Sequence, residues 1–454
     1  MYSQETIVAP STPPGISAIA VIRLSGNDSI HICSTVFRGK KLSEQSSHTL
    51  HHGWITDGKQ DIDEVVIGIF RAPHSYTGED VVEISCHGSP FIIQRIIELL
   101  VEKGVRTAKP GEFTQRAFLN GKLDLSQAEA VADMISSNSE AARKAAINQM
   151  RGGFSQKIKE LRQQLIDFAA LIELELDFSE EDVEFANRAE LKNLVASLTD
   201  HVSNLIDSFK LGNVIKHGVN VVIAGRPNAG KSTLLNCLLN EERAIVSEIP
   251  GTTRDTIEEV LNIDGILFRL IDTAGIREAQ DAIEKIGVER TYEKIRQSGI
   301  LIYVFDAASM TKEEVLQDVK ILNRENAPLL LVGNKIDLVQ RDALTSFDFT
   351  DETIFISSKS GQNLHPIKEA LISKAVVKQT SSDDVVVTNA RHHEALLRSK
   401  QALEDVLAGL DSKISGELLA LDIRRALDAL GEITGQVVND DVLDSVFSRF
   451  CIGK

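Results

Sequence analysis

The chain has 454 residues, 43% of them hydrophobic and 25% charged, the make-up of an ordinary globular protein, and its length suits about two to four domains. A net charge of −17 argues against general affinity for nucleic acid, so any RNA contact needs a local basic patch or a partner's surface. The four cysteines, Cys33, Cys86, Cys237 and Cys451, fall at no metal-ligand spacing, and Met1-Tyr2-Ser3-Gln4 is no basic, apolar leader. No apolar run approaches the roughly 18 residues of a membrane span. These features predict a reduced, cytoplasmic protein with no membrane segment.

Residues 1–120 alternate short apolar runs with turns. Ile16 to Leu24, Val65 to Phe70 and Val81 to Ser85 read as strands. Pro90 to Val101 reads as a helix with Ile93, Ile96, Ile97 and Leu100 on one face, so the module is expected to be α+β. His51-His52 has no partner at metal-ligand spacing and reads as surface or core histidine.

All ten prolines lie within 10–110 or 227–366, leaving 111–226 and the stretch after Pro366 free of them. Proline costs about 3 kcal/mol inside a helix, so those two stretches are candidate helical regions. Ser126-Gln127-Ala128-Glu129 has the form of a capping box before an apolar 3–4 repeat. Phe154 to Leu176 and Ala189 to Phe209 read as further helices, separated by an acidic loop from Asp177 to Glu184. Gly212 and Gly218 are expected to bracket a linker. After a polar linker, Gln379 to Asp384, helical pattern returns over Asn389 to Leu410, Ser415 to Leu430 and Asp440 to Phe450. Helices on both sides of one segment predict a helical domain split in sequence, 121–215 and 379–454, with residues 216–378 inserted between.

The inserted segment carries the most specific chemistry. An apolar run, Val219 to Ala224, leads into Gly225-Arg226-Pro227-Asn228-Ala229-Gly230-Lys231-Ser232 and then a helical pattern from Thr233. This is G-x-x-x-x-G-K-S between a strand and a helix, the context a phosphate-binding loop requires. Its amide N–H groups and helix end face phosphate oxygens. Lys231 is assigned to the β/γ-phosphates and Ser232 to Mg²⁺. Leu267 to Ile271 ends in Asp272-Thr273-Ala274-Gly275. An acid there holds Mg²⁺ through water, and a glycine N–H senses the γ-phosphate. Leu329 to Val332 ends in Gly333-Asn334-Lys335-Ile336-Asp337, where the Asp337 carboxylate accepts two hydrogen bonds from guanine that adenine lacks. Ser357-Ser358-Lys359 follows Thr353 to Ile356 and supports the base. Elements at successive strand ends predict an α/β P-loop domain of Ras-like type that binds GTP.

Taken with these motifs, five further stretches resemble one family. They are Glu5-Thr6-Ile7-Val8-Ala9-Pro10, Ile22-Arg23-Leu24-Ser25-Gly26, Glu83-Ile84-Ser85-Cys86-His87-Gly88, and Pro110-Gly111-Glu112-Phe113-Thr114 with Ala117 to Lys122. The terminal Cys451-Ile452-Gly453-Lys454 completes the pattern. The chain resembles the bacterial and organellar tRNA modification GTPases MnmE/TrmE along its whole length. The resemblance implies a folate-binding and dimerising first domain, with a 5-formyl- or methylene-tetrahydrofolate held by Arg23, Glu83, Lys122 and Lys454. It implies a homodimer that joins an FAD-dependent MnmG/GidA-type partner in a heterotetramer. Together they place an aminomethyl or carboxymethylaminomethyl group on the wobble uridine of tRNA.

Ile276 stands where Ras-like enzymes have a water-orienting glutamine, and no arginine is marked as a finger, although Arg254 and Arg277 lie in the switch segments. The resemblance implies K⁺ in that place. It assigns K⁺ ligands to Asn228, Ser247, Ile249 and Thr252, within the loop Ser247-Glu248-Ile249-Pro250-Gly251-Thr252. Ser247 replaces a threonine of other members and keeps the hydroxyl. Thr253 matches the switch ligand of Mg²⁺, and Glu284 matches the residue that orients the attacking water. The competing expectation is an RNA-binding ribosome-assembly GTPase that uses GTP as a timer.

Overall fold

The computed structural model describes residues 5–177, 188–242, 259–272, 299–323, 327–340, 344–345, 347, 349, 353–375, 385–412 and 414–454. The acidic loop beyond Asp177 and the linker from Gln379 to Asp384 lie outside them.

The first module is built on β1 (Ile7–Pro10), β2 (Ile19–Ser25), β3 (Phe37–Arg38), β4 (Thr49–Thr56), β5 (Asp61–Phe70), β6 (Val81–His87) and β7 (Arg106–Thr107). Among the described residues these form one seven-stranded sheet in the order β3-β4-β5-β6-β2-β1-β7. The β1–β7 pair is parallel and the others are antiparallel. Period-two alternation sends Ile22, Leu24, Ile67, Ile69, Val82 and Ile84 to one face. Helices α1 (Ser29–Val36) and α2 (Pro90–Glu102) supply the rest of that core, α2 through Ile96, Leu99 and Leu100 with Ile93 and Ile97 beside them. A short helix, α3 (Glu112–Leu119), places Phe113 against Ile7 and Ala9 in a second, smaller core.

Strand β2 begins later than the apolar run suggests. Ile16 is 92% exposed, and Ser17, outside the strand, donates its N–H to Gly88 O at 3.0 Å. Strand β4 escaped the sequence reading because its inward positions are His51, Gly53 and Ile55, while Leu50 faces outward.

The helical segments are α4 (Leu125–Ser136), α5 (Glu140–Met150), α6 (Gly153–Asp177) and α7 (Arg188–His217). The start of α4 is a capping box, displaced by two residues from the expected one. Asp124 Oδ1 accepts from Gln127 N–H, and Gln127 Oε1 accepts from Asp124 N–H. Ser126 is fully buried, and its hydroxyl meets Asp124 and Ser155 instead. Helix α6 buries Phe154, Ile158, Leu161, Leu165, Phe168 and Ile172, a single stripe at 3–4 spacing.

Gly212 does not begin a linker. It lies inside α7, where a Cβ would meet Val387 O at 1.9 Å, so it is a close-approach glycine. Gly218, with φ +74°, ends the helix by donating to Val214 O, and the next strand starts at once.

That strand is β8 (Val219–Ala224), followed by β9 (Glu259–Ile263), β10 (Ile266–Asp272), β11 (Ile300–Asp306), β12 (Leu329–Asn334) and β13 (Thr353–Phe355). Their order is β13-β12-β11-β8-β10-β9, all parallel except β9–β10. Both faces of this sheet are apolar, as parallel strands require. Val221, Ile223, Ile302, Val304 and Val332 fill one side, and Val222, Leu301, Tyr303, Phe305 and Leu331 the other. Helices α8 (Lys231–Glu242), α9 (Lys312–Leu322) and α10 (His365–Ala375) accompany it.

The remaining helices are α11 (Ala390–Asp411), α12 (Gly416–Thr434) and α13 (Asp440–Phe447). Helix α12 packs along α6, where Arg162 donates to Leu427 O and Arg424 pairs with Glu173. Phe447 and Leu443 of α13 join Leu125 and Ala128 of α4 in one core. By contacts the chain divides into two compact units. One is Met1–Ala132, Gln149–Ala196 and Gln401–Lys454; the other is Asp133–Asn148 and Ser197–Lys400. Among the described residues no helix is long and apolar enough to cross a membrane.

Candidate functional site

The carboxyl ends of β8, β11 and β12 lie side by side, which brings three loops to one edge of the second sheet. The first loop runs from Gly225 to Lys231. Gly225 has φ +151° and stands where a Cβ would meet Val304 O at 2.1 Å. Asn228 has a left-handed backbone, φ +62°, which asparagine tolerates better than most residues. The Lys231 ammonium donates to Gly225 O and to Arg226 O, each at 3.0 Å. Ser232 and Thr233 are exposed at the first turn of α8, where N–H groups are unsatisfied within the helix.

Asn334, at the end of β12, ties this loop to the segment that follows β13. Its side-chain N–H₂ donates to Ala229 O at 2.8 Å, and its Oδ1 accepts from Ser358 N–H at 2.9 Å. Both bonds are buried, so neither competes with water. Gly230 is needed for this bridge, because a Cβ there would lie 2.1 Å from Asn334 Nδ2. Asp337 is steadied by Ser357, whose hydroxyl donates to Oδ1 at 2.6 Å. Cys237 of α8 donates to Ser358 O at 3.0 Å, a further strut under the same loop. Lys335 has φ +67° and pairs with Asp306 at 2.7 Å. Burial works against the Asp306 charge, but the Lys335 ammonium and the Ala308 N–H hold its carboxyl below the usual carboxylate range. Lys359 is exposed beside them.

Of the sequence-predicted nucleotide residues, the structure brings Asn228 to Thr233, Asn334, Lys335, Asp337 and Ser357 to Lys359 to one edge. Asp272 closes β10, opposite Ile223 of β8. Ser247 to Thr253, Thr273 to Gly275 and Glu284 lie outside the described residues. The sequence reading missed Asp306, although an acid closing a buried parallel strand at the same edge is a usable signal. It also missed the Arg226 side chain, which grips α9.

A second polar group lies in the first module. Arg23 on β2 faces Glu83 on β6 across the strand pair, 2.8 Å apart. The guanidinium sits 5.5 Å from the Tyr76 ring centre and 5.8 Å from that of Phe113. Tyr76 is anchored by Thr114 at 2.9 Å. The chain's last residues dock here. Gly453 O accepts from Arg23 and Ser11, and a Cβ at Gly453 would meet Pro10 O at 2.1 Å. Burial depresses the Lys454 amine, helped by the nearby Arg23 charge and opposed by Glu83. Arg23, Glu83 and Lys454 are therefore neighbours. Lys122 gives its ammonium to Pro73 O instead, at 3.0 Å.

Comparison with known proteins adds the family. Residues 6–122 match the profile described as "GTP-binding protein TrmE N-terminus", and residues 125–451 match "MnmE helical domain". The chain belongs to the MnmE/TrmE family of tRNA modification GTPases.

Relatives named tRNA modification GTPase MnmE match end to end. The protein of Cytophaga hutchinsonii is 55% identical over 99% of this chain and 98% of its own length. That of Flavobacterium psychrophilum is 51% identical over the whole of both chains. Among solved structures, the G domain of the T. maritima FeoB iron transporter is 28% identical, with a TM-score of 0.27, over 35% of this chain and 99% of its own. Aquifex aeolicus Era bound to GDP and AlF₄⁻ is 26% identical, with a TM-score of 0.29, over 40% and 66%. As an MnmE/TrmE member the protein is a GTPase, with the multidomain fold expected: an α+β first module, helices split in sequence and a P-loop domain between them. The ribosome-assembly alternative fails, because the family match includes the first module and the helices, beyond the phosphate loop.

Replacing Asp337 by Asn is expected to shift preference from GTP to xanthosine triphosphate. The accepting carboxylate is lost, at a cost of about 2–4 kcal/mol toward guanine. Competition binding with the two nucleotides measures it, and unchanged guanine preference refutes the assignment.

Proposed function

We propose that this GTPase, stimulated by K⁺ and working with an FAD-containing partner, installs an aminomethyl or carboxymethylaminomethyl group at C5 of the tRNA wobble uridine. A tetrahydrofolate derivative supplies the one-carbon unit. The single observation that supports the folate reading best is the Arg23–Glu83–Lys454 group, with the Tyr76 and Phe113 rings beside the Arg23 guanidinium. A carboxylate suits the N–H edge of a pterin, cations suit a glutamyl tail, and aromatic faces suit a flat heterocycle. Lys122, one loop away, is assigned to the tail. As an isolated surface pair Arg23 and Glu83 would carry little meaning. Their partial burial and the docked tail make the group a built one.

In the nucleotide site, loop carbonyls hold the Lys231 ammonium at the mouth of the phosphate loop, and we assign that ammonium to the β/γ-phosphates. Ser232 and Thr253 are the proposed Mg²⁺ ligands, with Asp272 acting through water. The exposed Ser232 hydroxyl at the start of α8 fits a hard cation. Mg²⁺ there offsets charge on the phosphate oxygens. Asn228 offers a side-chain carbonyl for K⁺, completed by Ser247, Ile249 and Thr252, and K⁺ supplies the positive charge that an arginine finger gives elsewhere. Glu284 is the proposed water-orienting residue. The proposed domains are 1–120, 121–215, 216–378 and 379–454. The protein is further proposed to be cytoplasmic and to act as a homodimer that forms a heterotetramer with the flavoprotein.

Two measurements test this reading. Hydrolysis is expected to slow at least tenfold when Na⁺ replaces K⁺, a barrier change of about 1.4 kcal/mol; equal rates would remove K⁺ from the account. Calorimetry with 5-formyl-tetrahydrofolate should show binding that Arg23→Ala weakens by about 10–100-fold, the range for a lost charged hydrogen bond. No heat with the wild-type protein would dismiss the folate donor.

A further inference from the structure

We propose that Arg226 is a positioning residue of the phosphate loop, clamped to helix α9 so that its own carbonyl aims the Lys231 ammonium. The inference rests on the assignment of Lys231 to the nucleotide phosphates.

The clamp has a definite geometry. Arg226 Nε lies 2.7 Å from Asp318 Oδ2 and Nη2 lies 3.2 Å from Oδ1, a forked pair, while Nη1 reaches Glu314 Oε1 at 2.8 Å. From the sheet beneath, the Tyr303 hydroxyl donates to Asp318 Oδ2 at 2.5 Å. Glu314 is fixed in turn, because it forms the capping box of α9 with Thr311. An exposed ion pair alone holds little, but a planar fork joined to a buried tyrosine and a helix cap is a network with one geometry. Burial works against the Asp318 charge, yet the bonds from Arg226 and Tyr303 keep its carboxyl below the usual range. Burial, and the bond to Asp318, push the Tyr303 hydroxyl up, so it stays a donor.

The main chain of Arg226 carries the consequence. Its carbonyl is one of the two that hold the Lys231 ammonium, the other being that of Gly225. Gly225 lies so close to Val304 that a Cβ would stand 2.1 Å from its carbonyl oxygen, and Arg226 is pinned through its side chain. Two fixed carbonyl acceptors therefore set where the ammonium nitrogen sits in the loop. Releasing the side chain lets the Arg226 carbonyl turn and loosens the placement of the ammonium, although Lys231 itself is unchanged.

The test is steady-state GTP hydrolysis, corrected for the folded fraction, with Arg226→Ala, Asp318→Ala and the milder Asp318→Asn. Lys320→Ala on the same helix is the control. Arg226→Ala and Asp318→Ala should each lower kcat/KM by about 10–100-fold, as expected when a charge-assisted contact to phosphate is misaimed. The double variant should lose no more than the worse single one, because both changes release one clamp. Wild-type kcat/KM in Asp318→Ala and Asp318→Asn, or losses that simply add in the double variant, would overturn the proposal. Lys231→Ala separates the two levels of the argument. Unchanged GTP affinity there removes the underlying assignment and the clamp with it. Lost affinity in Lys231→Ala alone, with normal clamp variants, removes only the clamp.

Discussion

One side-chain amide holds the nucleotide edge of the second sheet together. Asn334 donates to the phosphate loop at Ala229 and accepts from the base loop at Ser358, and both bonds are buried. The group is small, but leaving buried partners unsatisfied costs about 1–3 kcal/mol each. The same amide explains why position 230 must be glycine, since a methyl group would occupy the place of Nδ2. Loops reached from distant parts of the chain thus share one origin. The strand order supplies it, because parallel strands β8, β11 and β12 end together.

The first module solves a different problem with similar means. An antiparallel sheet leaves room on one face for a charged pair, Arg23 with Glu83, directly across two strands. Residues from the far end of the sequence complete it, through Gly453 and Lys454. The pair is flanked by Tyr76 and Phe113, each fixed by its own neighbours, Thr114 for one and the small Ile7–Ala9 core for the other. Charges so held are placed before any ligand arrives, which reduces the ordering cost of binding.

Much of this was readable from the residues, for reasons that can be named. The motif Gly225 to Ser232 was legible because each residue type answers a local demand: positive φ, a close approach, or a cation at a helix start. The stripe on α6 was legible because burial there follows helical period without interruption. What was lost depended on distant contacts. Gly212 reads from sequence as the edge of a linker, since its reason, the carbonyl of Val387, is far away in sequence. Strand β4 hid behind a buried histidine and glycine and an outward Leu50. The cap of α4 lies two residues before Ser126: Ser126 and Asp124 both suit a cap by type, and only burial and the reciprocal Asp124–Gln127 bonds choose between them. The Arg23–Glu83–Lys454 group came from family likeness, as no spacing in the sequence joins those positions.

The bridge made by Asn334 is tested most directly by measuring GTP affinity and thermal stability together in Asn334→Ala. If the amide organises the site, GTP affinity falls about 10–100-fold, while most of the protein remains folded at the assay temperature. Wild-type affinity in a folded variant would contradict the account, because the phosphate and base loops would then be held in register by something else.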